Sequence, residues 1–156
     1  MLLLAMLLLA ATAVRAASAP PYPGLSTSST LPAATLALAE SGLALHADGK
    51  AQAAVEALQS VLDVAPSHAP TLVNLGLVWE TLGLPLQAMD CYSRAIDADP
   101  ELAAAYTHMG TLLRDHLKEH EMAVEALQAA AELAPTRAEN WARLARLLQS
   151  RGALDD

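Results

Sequence analysis

The chain has 156 residues, 54% of them hydrophobic but only 3% aromatic, with Ala and Leu dominant. That is enough apolar material for one compact core, and it favours helices, since both residues lose little side-chain freedom in a helix, while the scarcity of β-branched residues argues against a sheet. A formal charge of −8 and the lack of any Lys/Arg stripe exclude nucleic acid as an expected partner. The single cysteine, Cys91, excludes an internal disulfide framework and a multi-cysteine zinc site.

Residues 1–14 read MLLLAMLLLAATAV and are followed by Arg15. The run falls short of the ~20 residues needed to cross a bilayer, and small residues follow it. Residues 1–16 are therefore expected to be a signal peptide that sends the chain into the secretory pathway, lumenal or secreted, with no stable membrane span after processing. An organelle transit segment, an uncleaved membrane anchor and a start inside a longer Ala/Leu-rich protein are the alternatives. Residues 17–34 contain Pro20, Pro21, Pro23 and Pro32 among Ser and Thr, and are expected to form a linker without regular structure.

From there on the chain repeats itself. LDVAPSH, IDADPEL and AELAPTR place Pro66, Pro100 and Pro135 at intervals of 34 and 35 residues. Upstream of each lies a second echo, AVEALQSV, AMDCYSRA and AVEALQAA. A third echo, SGLAL, LGLVW and MGTLL, begins at Ser41, Leu75 and Met109. Three elements recurring in one order at one period describe a tandem array of helical hairpins.

This pattern resembles the tetratricopeptide repeat family over roughly residues 35–151. The resemblance implies an all-α, right-handed α-solenoid of three helix-turn-helix hairpins, 35–68, 69–102 and 103–137, with 138–152 as a capping helix or a partial fourth repeat. The family's large and small sites in helix A fall on Leu38, Gly42 and Leu45, on Leu72, Gly76 and Trp79, and on Tyr106, Gly110 and Leu113. Those of helix B fall on Ala54, Leu58 and Val61, on Ala88, Tyr92 and Ala95, and on Ala123, Leu127 and Ala130. Ser41 is polar where Leu is usual, and the third repeat holds one extra residue between its helices.

Spacings of three and four return a residue to the same helix face, so Leu72, Leu75, Gly76 and Trp79 form one buried stripe. Gly76 is expected to let helix B approach at Ala88, with Trp79 and Tyr92 filling the wider part of the seam. Gly49 and Gly83 suit left-handed helix ends, and Pro70 and Pro85 suit first turns. Thr136 and Glu139 have capping-box spacing. In the last helix, Trp141, Leu144, Ala145 and Leu148 are expected to face inward, and Glu139, Asn140, Arg143, Arg146 and Gln149 to form the polar outer side.

No phosphate loop, nucleophile elbow or metalloprotease motif is present, so no catalytic residue, cofactor or metal is expected and the chain does not read as an enzyme. His116 and His120 have metal-ligand spacing for a continuous helix, but they fall where the third hairpin must turn. His46, His68 and His108 fall at unrelated repeat positions, and Cys91 reads as a small buried thiol.

The resemblance further implies that helix A lines a concave, protein-binding groove. Its positions here are Leu36, Ala39, Leu43 and His46, then Val73, Asn74, Leu77 and Glu80, then Ala104, Thr107, His108, Thr111 and Arg114. The Lys and Asn clamp that some relatives close on a terminal carboxylate is missing, since Ala39 and Leu43 occupy its sites, whereas Asn74 matches an amide that can hold a peptide backbone. The expected function is a scaffold for a protein or peptide partner. The alternative is an accessory or fragment of a larger enzyme of this architecture, such as a glycosyltransferase or hydroxylase, whose repeats recruit substrate. Oligomeric state is left open by the sequence.

Overall fold

The computed structural model describes residues 31–152. The expected signal peptide and almost all of the expected linker lie outside the described residues. The described part is an all-α solenoid of seven α-helices: α1 Ala33–Ala47, α2 Ala51–Val64, α3 Ala69–Thr81, α4 Pro85–Ala98, α5 Ala103–Leu112, α6 His120–Leu133 and α7 Ala138–Gly152. Helix α1 begins two residues inside the expected linker, directly after Pro32, whose fixed φ of −51° leads into the first turn. Consecutive helices pack on one another, so α1 with α2, α3 with α4, and α5 with α6 make three hairpins stacked in chain order.

None of the first six α-helices has a side-chain N-cap, so tertiary packing has to hold them. The middle hairpin has neighbours on both sides, and α3 accordingly buries Ala69, Thr71, Leu72, Val73, Leu75, Gly76 and Val78 over most of its circumference. The B helices keep a polar outer side and bury a stripe, as in Ala54, Val55, Leu58, Val61 and Leu62 of α2. Each buried Leu of this kind is worth about 1.5–3 kcal/mol.

The seam within each hairpin turns on its glycine. A Cβ on Gly42 would stand 2.9 Å from the Leu58 side chain, and one on Gly110 would stand 2.8 Å from Leu127. A Cβ on Gly76 would fall inside contact distance of the Tyr92 ring, which is fully buried. The glycine is thus a socket for one large residue of the following helix, and the atoms nearest to Gly76 are those of the Tyr92 ring, which was expected in the wider part of the seam. At Gly110 helix B backbone also comes close, with the Ala123 carbonyl at 3.2 Å from the added carbon.

Helix ends repeat with the same regularity. Lys50 N–H donates to the Leu45 carbonyl and Leu84 N–H to the Trp79 carbonyl, both at 2.9 Å, and each closes over a left-handed glycine, Gly49 at φ 75° or Gly83 at φ 73°. The third hairpin makes the same closure one residue wider, from Glu119 N–H to the Leu113 carbonyl at 3.0 Å. Its extra residue is taken up by a π-helical turn, Leu113–Leu117, and the left-handed position passes to Lys118 at φ 60°. His116 therefore lies in the π turn while His120 opens α6, and the two imidazoles do not share a continuous helix.

Helix α7 sits in a different rotation from the expected one. Its buried residues are Asn140, Leu144 and Leu147, and Arg143 is partly covered, whereas Trp141 and Leu148 are exposed. Asn140 is drawn in because its amide donates to the Ala130 carbonyl at 3.0 Å and its carbonyl accepts from the Thr107 hydroxyl at 3.1 Å. The helix begins at Ala138, one residue beyond where Thr136 would cap it, and Glu139 pairs with Arg143 at 2.5 Å.

Two substitutions test these seams. Gly76→Val forces a branched side chain against the Tyr92 ring and should lower the unfolding free energy in urea by about 2–3 kcal/mol, with partial recovery in the Gly76→Val/Tyr92→Leu pair. Lys118→Gly removes a left-handed non-glycine residue and should raise the denaturation midpoint, by about 1 kcal/mol in stability.

Candidate protein-binding groove

Helices α1, α3 and α5 lie side by side, and every hairpin sends the same sites to their shared face. Leu36 and Leu43 stand 50% and 40% exposed at its α1 end. His46, Asn74, Leu77, Glu80, Ala104, Thr107, His108, Thr111 and Arg114 are half-buried along the rest. Ala39 and Val73 are buried, so these two expected groove residues form the floor and offer no contact surface.

Several of these side chains are already engaged. His46 Nε2 lies 2.8 Å from the Thr81 hydroxyl and ties α1 to α3. The Tyr92 hydroxyl donates to Glu80 Oε1, while Glu80 Oε2 lies 4.0 Å from His116 Nε2. Burial first, and then the hydrogen bond and charge of Glu80, push the Tyr92 phenol above its ordinary range and keep it a donor. The Thr107 hydroxyl shares its one proton between the Ala103 carbonyl and the Asn140 side-chain carbonyl, and the Thr111 hydroxyl donates to the Thr107 carbonyl four residues back. Arg114 makes a two-pronged pair with Asp115 at 2.6 and 2.8 Å, which holds the Asp115 carboxyl below its usual range.

His108 stacks on Tyr92, with ring centroids 5.9 Å apart and planes at 22°. Burial lowers its pKa first, the Arg143 charge lowers it further, and Glu139 pulls weakly the other way. The neutral imidazole is thereby favoured over the charged one. Arg143 reaches the same end of the face: one guanidinium nitrogen lies 3.4 Å from the Thr111 hydroxyl, and its buried Nε has no acceptor among the described residues.

The family model for the tetratricopeptide repeat matches residues 69–102 and 103–137. Residues 69–137 are two repeats of the tetratricopeptide repeat family. The barley (Hordeum vulgare) protein described as a probable UDP-N-acetylglucosamine–peptide N-acetylglucosaminyltransferase, SPINDLY, is 34% identical over 108 residues, which is 68% of this chain and 11% of that protein. The chain thus spans about a tenth of that relative. The first such domain of Spaghetti (RPAP3), solved with the HSP90 peptide SRMEEVD, superposes with a TM-score of 0.70 at 21% identity over 76% of this chain and 93% of that one. The Yersinia enterocolitica type III secretion chaperone SycD, in complex with a peptide of the translocator YopD, gives 0.73 at 18% identity over 82% and 99%.

With the tetratricopeptide period in hand, the residues on the face fall into rows. One row runs Glu40, Asn74, His108, Arg143, at steps of 34, 34 and 35 residues, and another runs Leu43, Leu77, Thr111, Arg146. Arg143 was expected on the solvent side of the last helix, yet the same spacing places it beside His108 and the structure agrees. The face changes character along its length, from Leu36, Leu43 and Leu77 to His108, Thr111 and Arg143.

On the opposite, B-helix side, a cleft of about 460 Å³ lies over Leu75 and Trp79, rimmed by Gln59, Leu86, Gln87, Asp90, Cys91 and Arg94. Asp90 and Arg94 face one another at 3.5 Å, and burial, helped by the Asp90 charge, pushes the Cys91 thiol up to about 11. A thiol that stays protonated is a poor nucleophile. Among the described residues no group of three or more His, Cys, Asp and Glu side chains could hold a metal ion, and no helix is long and apolar enough to cross a membrane.

Burial also lowers the pKa of His68. A histidine whose folded pKa is depressed binds fewer protons folded than unfolded, so its contribution to stability is full above the unfolded value near 6.5 and is lost as pH falls towards the folded value. The urea midpoint should therefore drop between pH 7.5 and pH 5.5, and the His68→Gln/His108→Gln pair should flatten that dependence.

Proposed function

We propose that this chain is a scaffold that holds another protein through its A-helix face. The bound segment lays apolar side chains on Leu36, Leu43 and Leu77 and turns its acceptor groups towards Asn74, His108 and Arg143. The observation that carries this reading is the pair of exposed leucines on α1, contiguous with a half-buried row whose polar end carries the His108 ring, the Thr111 hydroxyl and the Arg143 guanidinium. Exposed apolar side chains beside a few placed donors are the makings of a peptide site. Two solved relatives of this fold hold peptides, which supports the choice of ligand class. The apolar run at residues 1–14 supports a secretory or lumenal setting for the encounter. The alternative, a substrate-recruiting part of a larger enzyme, rests on a relative of which the chain spans 11% and is not carried forward.

Selection of a displayed random-peptide library on the immobilised chain tests the proposal. The expected winners combine two or three large apolar residues with a carboxylate. Their affinity should fall by about tenfold or more for Leu43→Ser/Leu77→Ser and for Asn74→Ala/Arg143→Ala, with helix content unchanged. Peptides that bind both variants as well as the wild type would remove the A-helix face from the account.

A further inference from the structure

His108 and Arg143 are successive members of one row of the A-helix face. His108 and Thr111, three residues apart, share a face of α5, and Nη1 of Arg143 lies 3.4 Å from the Thr111 hydroxyl oxygen. That contact is longer than an ordinary hydrogen bond, so an anion can replace the hydroxyl at little cost. Glu139 pairs with the other terminal nitrogen, Nη2, at 2.5 Å, and the Arg143 side chain stays 28% exposed. The His108 ring is fixed by stacking on Tyr92, whose hydroxyl is held by Glu80, and it lies close enough to Arg143 to feel its charge.

Charging the imidazole in the free chain is opposed by burial first and then by Arg143, and favoured by Glu139. The other elements packed on α5 add little of either sign. Helix α4 presents the Tyr92 phenol, and α3 presents the Glu80 carboxylate behind that phenol. The π turn carries His116, 4.0 Å beyond Glu80, and Arg114, which is paired with Asp115. Helix α6 meets α5 at the Gly110 socket through Leu127 and Ala123. A carboxylate arriving from a bound segment reverses the balance, because it is a charge-assisted acceptor for imidazolium and guanidinium at once. Ligand and proton then strengthen one another's binding, and the effect is reciprocal.

We infer that the A-helix face takes up a proton together with its ligand: a carboxylate side chain of the bound segment is held between the His108 imidazolium and the Arg143 guanidinium, and acidic segments bind more tightly in mildly acidic than in neutral solution. The proton comes from solvent and goes to the imidazole. This rests on the A-helix face as the binding surface and adds its regulation by pH. The free imidazole titrates below its ordinary value near 6.5 and the ligand-bound one higher, so affinity is lowest above both values and rises as pH falls through the bound one. Peptide carboxylates stay ionised down to about pH 5.5, which sets the lower end of the useful range.

The probe is a carboxylate-bearing peptide from the displayed library, synthesised with blocked ends and titrated calorimetrically into the full chain between pH 7.5 and 5.5, in paired buffers of different ionisation enthalpy. Affinity should rise by about fivefold or more across that range, with net proton uptake near pH 6.5. The His108 Cε1–H resonance, followed by NMR, should titrate at higher pH in the complex than in the free chain. His108→Gln should remove both the uptake and the pH dependence, and so should the peptide with Gln and Asn in place of its Glu and Asp, whereas the His68→Gln and His116→Gln chains keep them. Circular dichroism at each pH verifies that the helices are intact. Peptides that bind the face without pH dependence, with proton release, or with uptake that survives His108→Gln overturn this inference alone. A library that yields no binder, or binders indifferent to Leu43→Ser/Leu77→Ser and to Asn74→Ala/Arg143→Ala, removes the A-helix face and this inference with it.

Discussion

Gly42, Gly76 and Gly110 each admit one large side chain of the following helix, Leu58, Tyr92 or Leu127, and the geometry of the array is built on that contact. A glycine costs up to about 1 kcal/mol in a helix interior, and the return is a large residue packed where the glycine's Cβ would stand. The socket sits at the same site in each hairpin, and equivalent residues of the A helices line up in rows on one face.

Those rows are what make a surface out of a repeat. Buried Ala39 and Val73 set a shallow floor, the exposed α1 leucines and half-buried Leu77 give one end an apolar character, and His108, Thr111 and Arg143 give the other end donors. The polar end is braced from below, since Tyr92 bridges the seam glycine, the Glu80 carboxylate and the His108 ring. One buried phenol therefore links the fold to the face. A partner that distinguishes apolar from polar along its length is the natural reader of such a gradient.

The hairpins, their order and most residues of the A-helix face were legible in the sequence, because a 34-residue period carries the core sites and the surface sites together. What the period does not carry is contact geometry. Nothing in the spacing says whether Gly76 meets Ala88 or Tyr92, since both lie on the same stripe of α4 one turn apart. The extra residue of the third hairpin could have lengthened a loop, but the closing hydrogen bond to Leu113 was kept and the surplus went into a π turn. The rotation of α7 differs from the expected one because Leu147 turns inward with Leu144, in place of Trp141 and Leu148. With no helix B among the described residues to cover them, Trp141 and Leu148 stay exposed, and Asn140 and Arg143 are drawn in by partners that lie on the preceding hairpin, the Ala130 carbonyl and the Thr107 and Thr111 hydroxyls.

The most direct test of the central claim, that the aligned A-helix rows are the partner-binding surface, is a two-dimensional amide NMR titration of the isotope-labelled chain with a library-selected peptide. The account predicts shifts that follow the rows, at Leu36, Leu43, Asn74, Leu77, His108 and Arg143, with Gln59, Leu86 and Arg94 on the B-helix side unmoved. Shifts concentrated around Gln59, Leu86 and Arg94, with the A-helix rows silent, would contradict it.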